Sequence, residues 1–270
     1  MQEFGESKKD CRDDAAEEIV LSESKSVTRR DDVVLRPAGP WTPAVHALLR
    51  HLASAGFRGA PAVVGAGVDG GRETVRYVEG EFVHPGPWSG EALYEVGRML
   101  RSLHDASATF EPPPGAVWKP WFLRELGGTK LVYGHGDVAP WNMVTRGGMP
   151  VALVDWEFAG PIDPAIELAR TCWLFPQLHD DDVAAMVGLP PLEERARQLR
   201  ALVDGYGADR ETRLGLFDRM IEVAVSETAE EAIEAGVGPE TEGPLWGLAW
   251  RARAAAWMLR HRAALERALA

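Results

Sequence analysis

Two carboxylates and one carboxamide stand at fixed offsets near the middle of the chain. Asp137 and Asn142 are five residues apart in the segment His-Gly-Asp-Val-Ala-Pro-Trp-Asn. Asp155 follows an apolar run, residues 151–154, that is typical of a buried strand. An Arg-Gly-Gly turn at 146–148 separates the two segments. The pattern therefore predicts a β-hairpin that brings Asn142 and Asp155 together.

These three side chains suit the transfer of a phosphoryl group to a hydroxyl group. Mg²⁺ prefers hard oxygen ligands, keeps several waters and uses only one or two protein carboxylates. A further carboxylate can accept or orient the proton of the attacking hydroxyl. Protein kinases use an Asp, an Asn five positions later and then a metal-binding Asp, in this order. The sequence therefore predicts Asp137 as the catalytic residue and Asn142 and Asp155 as ligands of Mg²⁺.

The joined motifs resemble those of the aminoglycoside phosphotransferase and choline kinase family, the small-molecule branch of the protein-kinase-like fold. His-Gly-Asp-x-x-x-x-Asn at 135–142 and Asp-Trp-Glu at 155–157 carry the resemblance. Gly136 stands where protein kinases have an arginine, and Asp-Trp-Glu replaces their Asp-Phe-Gly. The alternative interpretation makes Asp137 and Asp155 turn or cap residues of an ordinary α/β domain.

The resemblance implies an α+β, bilobal fold. Residues 1–79 would form an N-terminal nucleotide-binding lobe, a small antiparallel sheet with one helix. Residues 80–270 would form a larger, mainly helical lobe for catalysis and acceptor binding. The periodicity of the sequence agrees with this outline. Strands are predicted at 19–21, 27–30, 33–36, 62–65 and 73–78, a helix at 41–55, and long C-terminal helices at 192–206, 212–235 and 244–268.

By the same resemblance, the ends of the first strands contact the phosphates of ATP or GTP. Ser24, Lys25 and Ser26 lie in the loop that would cover the phosphates, although this loop lacks glycine. A plain hairpin turn is the alternative. Arg36 ends the third strand, where the family has a phosphate-gripping lysine, and arginine can bind phosphate bidentately. A strand-end arginine in solvent is the alternative.

The resemblance also implies a hinge between the lobes, where the backbone binds the adenine edge. Tyr77, Val78 and Glu79 would form it. The helix at 41–55 contains neither Asp nor Glu, whereas protein kinases pair a glutamate on this helix with the strand lysine. Arg36 must then be held by another group or remain unpaired. This departure motivates one alternative, a nucleotide-binding pseudokinase.

Several residues are predicted to support the site without taking part in the reaction. His135 would hold the loop by hydrogen bonds, and Gly136 would allow a backbone conformation that a side chain forbids. Trp156 would pack the metal-binding strand. Glu157 is a candidate for a supporting or substrate-binding carboxylate, and Glu167 for a carboxylate that supports the loop.

Composition narrows the classes of partner. The chain has 29 basic and 41 acidic residues and a net charge of −12, which argues against nucleic acid. An acidic surface favours the approach of a cationic substrate and equally serves solubility, so charge alone does not choose the acceptor. Two cysteines, Cys11 and Cys172, are too few for a disulfide framework and indicate a reduced, cytoplasmic protein.

Neither a signal peptide nor a membrane span is predicted. Residues 1–14 are charged, are expected to be frayed and have no apolar core. No run of about 18 uncharged apolar residues is present that could cross a bilayer.

The predicted activity is transfer of the γ-phosphoryl group of ATP or GTP to a small hydroxylated molecule, such as an aminoglycoside or another antibiotic or natural product. Kinases for choline, sugars and homoserine share these motifs, so metabolic phosphorylation is the main alternative. The C-terminal helices of the resembled enzymes build the acceptor pocket. In the helix at 212–235, Leu214 and Val225 are predicted to be buried, and Glu227 to lie on an acidic outer face that binds amines or is simply solvated.

Overall fold

The structure, a computed structural model, describes residues 18–243 and 245–270. The predictions for residues 1–14 and Cys11 lie outside these residues. Cys172, by contrast, is a free cysteine buried in the core.

The N-terminal part of the described chain is a five-stranded antiparallel sheet with one helix, as predicted. Its strands lie in the order β1-β2-β3-β5-β4. The elements are β1 (Glu18–Ser22), β2 (Val27–Arg30), β3 (Val33–Pro37), α1 (Thr42–Ser54), β4 (Val63–Asp69) and β5 (Arg72–Arg76). Gly70 and Gly71 close the β4–β5 hairpin with positive φ angles of 56° and 79°, a conformation that favours glycine.

The remainder is largely helical, with two short sheets at its centre. The helices are α2 (Gly90–Ser107), α3 (Pro164–Leu174), α4 (Asp181–Met186), α5 (Leu192–Tyr206), α6 (Arg210–Glu234), α7 (Trp246–Arg260) and α8 (Arg262–Leu269). Strands β6 (Val132–Gly134) and β9 (Gly160–Ile162) pair, as do β7 (Met143–Arg146) and β8 (Met149–Leu153). The last predicted helix is interrupted at His261, which leaves the helical conformation with φ −104° and ψ 13°.

The buried face of α6 is rotated from the predicted one. Leu214 and Val225 are 73% and 54% exposed, so their predicted burial is wrong. Glu227 is only 5% exposed, so its predicted place on the outer face is also wrong. The face with Met220 and Val223 packs inward instead. An ion pair of Glu227 with an arginine of α3, described below, explains how a carboxylate can take a core position.

A continuous hydrophobic core connects α1 with the helical part. It includes Leu48 of α1, Leu100 of α2, Trp156 beside β8 and Trp173 of α3, each at most 1% exposed. This core fixes the sheet relative to the loops that follow it. Among the described residues, no helix is long and apolar enough to cross a membrane.

Helices α2 and α5 approach each other closely at two glycines. A Cβ on Gly97 would lie 2.0 Å from the carbonyl oxygen of Leu202. A Cβ on Gly205 would lie 2.0 Å from the carbonyl oxygen of Tyr94. Both glycines are therefore required for the helices to pack at this distance.

We expect Gly97→Ala to destabilise the protein. Helix propensity favours alanine by about 1 kcal/mol, but the added methyl group overlaps backbone and forces the helices apart. Because the overlap is with backbone, overpacking should cost about 3 kcal/mol, and the net loss is about 2 kcal/mol in the free energy of unfolding, which is a fall of about 4–8 °C in Tm. Gly90→Ala is the matched control because nothing lies within 4 Å of its Cβ position. Equal Tm values for the two variants would contradict the close approach.

Candidate active site

Helix α3 and neighbouring buried residues hold the loop at 135–142 in place. Gly136 has φ +82°, and a Cβ there would lie 2.1 Å from the carbonyl oxygen of Phe158. The Gly136 N–H donates to Glu167 Oε1 at 2.6 Å, and Glu167 Oε2 lies 2.7 Å from His104 Nε2. His135 Nε2 lies 3.0 Å from the Val154 carbonyl oxygen. These are the supporting positions predicted for His135, Gly136 and Glu167.

The buried groups beneath the loop have defined charges. Burial alone would raise the pKa of Glu167, but the hydrogen bonds from His104 and Gly136 hold that pKa below its usual value. Burial lowers the pKa of His135, so its imidazole is neutral at neutral pH. Glu167 therefore carries a negative charge in a position where it can support the loop.

The structure brings Asp137 and Asn142 into contact, and the hairpin returns the chain to Asn142 just before Asp155. Asn142 Nδ2 donates to Asp137 Oδ2 at 2.7 Å and to the Asp137 carbonyl oxygen at 2.9 Å. The predicted hairpin, β7 and β8, returns the chain so that the Val154 N–H donates to the Asn142 carbonyl oxygen at 2.9 Å. Asp155 follows with φ +65°, a left-handed conformation that is uncommon outside glycine. Such strained residues cluster at functional sites.

A cleft of about 410 Å³ lies between the sheet and the helical part, with Asn142 and Asp155 in its lining. Pockets for small ligands typically measure about 300–1,000 Å³. Its lining includes Leu21, Ser22, Lys25, Arg36, Tyr77, Val78, Gly80, Trp141, Asn142, Val144 and Asp155. The cleft therefore joins the predicted phosphate-binding strand, the predicted hinge and the predicted metal ligands.

Not all predicted nucleotide contacts line this cleft. Lys25, Arg36, Tyr77 and Val78 do, whereas Ser24, Ser26 and Glu79 are outside its lining. Ser26 has φ +52° and closes the β1–β2 turn, where its N–H donates to the Glu23 carbonyl oxygen. The Glu79 carbonyl oxygen accepts from Arg146 Nε at 3.1 Å. Within the described chain, the backbone N–H and C=O of Val78 make no hydrogen bond and are available to a ligand.

Arg36 is held by a residue that the sequence reasoning missed. Glu73 lies directly opposite on β5, is 3% exposed and forms an ion pair with Arg36. Arg36 also pairs with Asp155. Strand β5 thus supplies the carboxylate that α1 lacks. The signal in the sequence was the acidic residue Glu73 inside a predicted strand. A carboxylate that becomes buried there requires a cationic partner.

Cations surround the carboxylate of Asp155. Lys25 Nζ lies 2.7 Å from Asp155 Oδ2, and Arg36 contacts the other oxygen. Burial alone would raise the pKa of Asp155, but first Arg36 and then Lys25 lower it below its usual value. Glu157 is paired with Lys119 at 2.7 Å and with Lys25 at 3.7 Å. Asp155 is therefore ionised in a position where positive charge is favoured.

Asn142 and Asp155 form a set of oxygen donors that fits a hard divalent cation. Asp155 offers a carboxylate, and within the described chain the side-chain oxygen of Asn142 accepts no hydrogen bond because its amide nitrogen makes both contacts. No group of three or more His, Cys, Asp or Glu side chains among the described residues could hold a metal by itself. Mg²⁺ requires no such group when phosphate oxygens complete its coordination.

A second missed contact lies on the other side of Asp137. Arg170 of α3 is 2% exposed, and its Nη1 lies 2.7 Å from Asp137 Oδ1. Its Nε donates to Glu227 Oε2 at 2.8 Å. Arg251 of α7 also donates to Glu227, at 3.2 Å. Charges at 137, 170, 227 and 251 therefore alternate from the loop to α7.

Comparison with known proteins identifies the family. Residues 116–216 match the model of the phosphotransferase enzyme family. The chain is 55% identical over 248 residues to a trifolitoxin immunity protein of Rhizobium leguminosarum bv. trifolii, covering 91% of this chain and 95% of that protein.

Two solved structures share the architecture. A choline/ethanolamine kinase family protein from Mesorhizobium loti has a TM-score of 0.55 at 20% identity, covering 93% of this chain and 92% of that one. An amicoumacin kinase in complex with AMP-PNP, Ca²⁺ and Ami has a TM-score of 0.65 at 13% identity, covering 93% and 88%. At these low sequence identities, the similarity establishes a shared fold.

The antiparallel sheet with α1, followed by a largely helical part, defines a protein-kinase-like fold. The chain belongs to the phosphotransferase enzyme family, and it is a small-molecule phosphotransferase.

Proposed function

We propose that this enzyme transfers the γ-phosphoryl group of ATP or GTP to a hydroxyl group of a toxin or another antibiotic-like natural product, and so gives immunity to it. The observation that carries the proposal is that Asp137 is hydrogen-bonded to Asn142, which together with Asp155 lines a cleft large enough for a small ligand. The immunity role rests on the name of the relative that is 55% identical over most of both chains.

In this proposal, residues 1–79 bind the nucleotide and residues 80–270 hold the catalytic groups and the acceptor. The free backbone groups of Val78 receive the adenine edge, beside Tyr77. Lys25 and Arg36, which line the cleft and pair with Asp155, contact the phosphates. Ser24, Ser26 and Glu79 would then contribute only to the shape of the turn and the hinge, because they do not line the cleft.

The chemistry divides among three side chains. Asn142 and Asp155 would hold Mg²⁺, which neutralises the charge that develops on the phosphates when it is bound. Asp137 accepts or orients the proton of the acceptor hydroxyl. The hydroxyl oxygen then forms its bond to the γ-phosphorus while the bond to the leaving nucleoside diphosphate breaks.

The charges next to Asp137 favour an acceptor that is not a polycation. Glu227 is paired with Arg170 and Arg251, and Glu157 is paired with Lys119. A cationic acceptor would have to displace these partners before it gained a carboxylate. The aromatic rings of Trp121 and Trp141 lie near Arg170 on the same side, each 5.9 Å from its guanidinium carbon. Apolar and hydroxyl-bearing surfaces fit these neighbours better than amines do.

A substrate panel tests the proposal. Full-length protein would be incubated with ATP or GTP and Mg²⁺ together with trifolitoxin, macrolides, aminoglycosides, choline, ethanolamine, sugars and homoserine. Mass spectrometry should show one phosphoryl group added to a toxin or antibiotic. Turnover of a primary metabolite alone would overturn the immunity role. Failure to bind nucleotide would overturn the kinase activity itself.

Glu73→Gln tests whether the strand carboxylate positions Arg36 for phosphate. The amide keeps the shape but leaves Arg36 free to turn fully towards Asp155. We expect the Kd for an ATP analogue to rise about tenfold, or about 1.4 kcal/mol, and the free energy of unfolding to fall by about 1–3 kcal/mol. Calorimetric titration and thermal unfolding measure the two effects.

Glu18→Gln is the control for this prediction. Glu18 forms an ion pair with Arg72 at 2.9 Å in the same sheet but lies outside the cleft lining. Its exchange should leave the Kd unchanged. Equal nucleotide binding by Glu73→Gln and the unchanged protein would remove Arg36 from its proposed role.

A further inference from the structure

We propose that Arg170 is a positioning residue for the reaction: it holds the Asp137 carboxylate towards the acceptor hydroxyl, and Glu227 limits how strongly it does so. The inference rests on the proposed role of Asp137 as the base. It concerns a buried guanidinium that is not itself part of the nucleotide cleft lining.

Helix α3 contacts the loop at 135–142 in two different ways. Residues three apart lie on the same face of a helix, and Glu167 and Arg170 are so placed. Glu167 accepts from a backbone N–H, that of Gly136, and thereby holds the path of the loop. Arg170 instead reaches a side-chain oxygen, Asp137 Oδ1 at 2.7 Å. The first contact fixes the backbone and the second fixes the direction of the carboxylate.

Each oxygen of Asp137 has one partner, a hydrogen bond at Oδ2 and an ion pair at Oδ1. Asn142 Nδ2 donates to Oδ2 at 2.7 Å, and Arg170 Nη1 lies 2.7 Å from Oδ1. A carboxylate held at both oxygens cannot rotate freely about its χ2 bond. Because a base must lie within hydrogen-bond reach of the proton it takes, this restriction is useful only if the held orientation faces the acceptor.

Glu227 pairs with the same guanidinium and thereby weakens the interaction of Arg170 with Asp137. Arg170 donates to Glu227 through Nε at 2.8 Å and through Nη2 at 3.2 Å. Burial alone would lower the pKa of Arg170, but the carboxylates of Glu227 and Asp137 raise it above its usual value. Burial alone would likewise raise the pKa of Glu227, and Arg170 foremost holds it low. Both side chains are ionised, so Arg170 divides its charge between two carboxylates.

The arrangement extends to the helices predicted to build the acceptor pocket. Arg251 of α7 donates to Glu227 at 3.2 Å and lies 3.3 Å from Glu231. Glu231 is 40% exposed at its side chain, so the series of charges runs from the partly buried base to the surface of α6. An acceptor that shifts α6 or α7 would change the strength of the ion pair between Arg170 and Asp137.

The test uses hydrolysis of MgATP by the full-length protein, in which water replaces the acceptor hydroxyl. Arg170→Lys keeps the charge but cannot reach both carboxylates with a planar fork. We expect kcat to fall about 10- to 100-fold with the KM for MgATP changed by less than about twofold, since displacing a reacting group by about 1 Å has an effect of this size. Glu227→Gln should lower kcat less, about threefold to tenfold, because Asp137 alone then holds the guanidinium.

A double-mutant cycle separates positioning from folding. If Arg170 acts through Asp137, adding Arg170→Lys to Asp137→Asn should cause no further loss of kcat beyond about twofold. Arg195→Lys is the matched control, because Arg195 is as buried, at 1% exposure, but contacts the carbonyl oxygens of Gln177 and His179. It should change Tm without lowering kcat.

The outcomes distinguish the two proposals. Equal losses of kcat from Arg170→Lys with and without Asp137 would overturn the positioning role, as would unchanged kcat in Arg170→Lys and Glu227→Gln. Unchanged kcat in Asp137→Asn alone would instead overturn the assignment of the base, on which the proposed function depends.

Discussion

Asp137→Asn should lower phosphoryl transfer by about 10³-fold or more while the protein binds nucleotide as before. General base catalysis contributes about 10²- to 10⁴-fold, and the asparagine amide can neither accept the proton nor pair with Arg170 as a carboxylate does. The exchange keeps the size of the side chain. Asp137 is outside the cleft lining, so the adenine and phosphate contacts should remain.

Single-turnover transfer from ATP to the acceptor identified in the panel measures this effect, and calorimetry with an ATP analogue measures binding. Asp105→Asn is the control, since Asp105 is 65% exposed at its side chain and pairs with Arg101 on the outside of α2. Transfer by Asp137→Asn at the rate of this control would show that another group is the base.

The parts of the site that the sequence predicted are those built from local contacts. Asp137 and Asn142 belong to one loop, and the hairpin after Asn142 returns the chain directly to Asp155. Strand periodicity and the Gly-Gly turn were sufficient to place these residues together. The same holds for most of the N-terminal sheet, where short turns join β1 to β2, β2 to β3 and β4 to β5, whereas β5 pairs with β3 only after α1 and β4.

The parts that were missed depend on side chains far apart in sequence. Glu73 is 37 residues from Arg36, and Glu227 is 57 residues from Arg170. The hydrophobic periodicity of a helix or strand gives no information about residues so far apart in sequence. The α6 prediction failed for the same reason, because Glu227 was counted as a solvent-facing charge when Arg170 holds it in the core. An inward-facing acid on a strand or helix, with no local partner, is the signal that such a long-range ion pair leaves in a sequence.

The pseudokinase alternative is weakened by the first of these pairs. It was motivated by the absence of Asp and Glu from helix α1, which would leave Arg36 without a carboxylate from that helix. Glu73 provides that carboxylate from β5, directly opposite Arg36 in the register of the sheet. A binding module would also need no carboxylate between Asn142 and Arg170, where Asp137 lies.

Asp155→Asn should remove the dependence of nucleotide binding on Mg²⁺ and lower transfer by about 10³-fold or more, because metal-ion stabilisation of developing charge is worth several kcal/mol. The carboxylate is the only charged member of the proposed ligand pair, and an amide oxygen binds Mg²⁺ far more weakly. The exchange also releases Lys25 and Arg36, so these cations remain free to contact phosphate. Nucleotide binding without metal should therefore be kept or become tighter.

Asparagine is the right substitute because of the backbone at this position. Asp155 has φ +65°, and asparagine tolerates the left-handed region better than alanine does. The fold should thus be retained, although loss of the partly buried ion pair with Arg36 should lower the free energy of unfolding by about 1–3 kcal/mol. Asp31→Asn is the matched control, since Asp31 also has a positive φ, 55°, but lies exposed in the β2–β3 turn.

Calorimetric titration of AMP-PNP with and without Mg²⁺ is the decisive measurement for Asp155. In the unchanged protein and in Asp31→Asn, Mg²⁺ should tighten binding, and in Asp155→Asn it should not. If Mg²⁺ tightened binding equally in all three proteins, the metal would be held elsewhere, and the left-handed turn at Asp155 would have to be explained by its ion pairs with Lys25 and Arg36 alone.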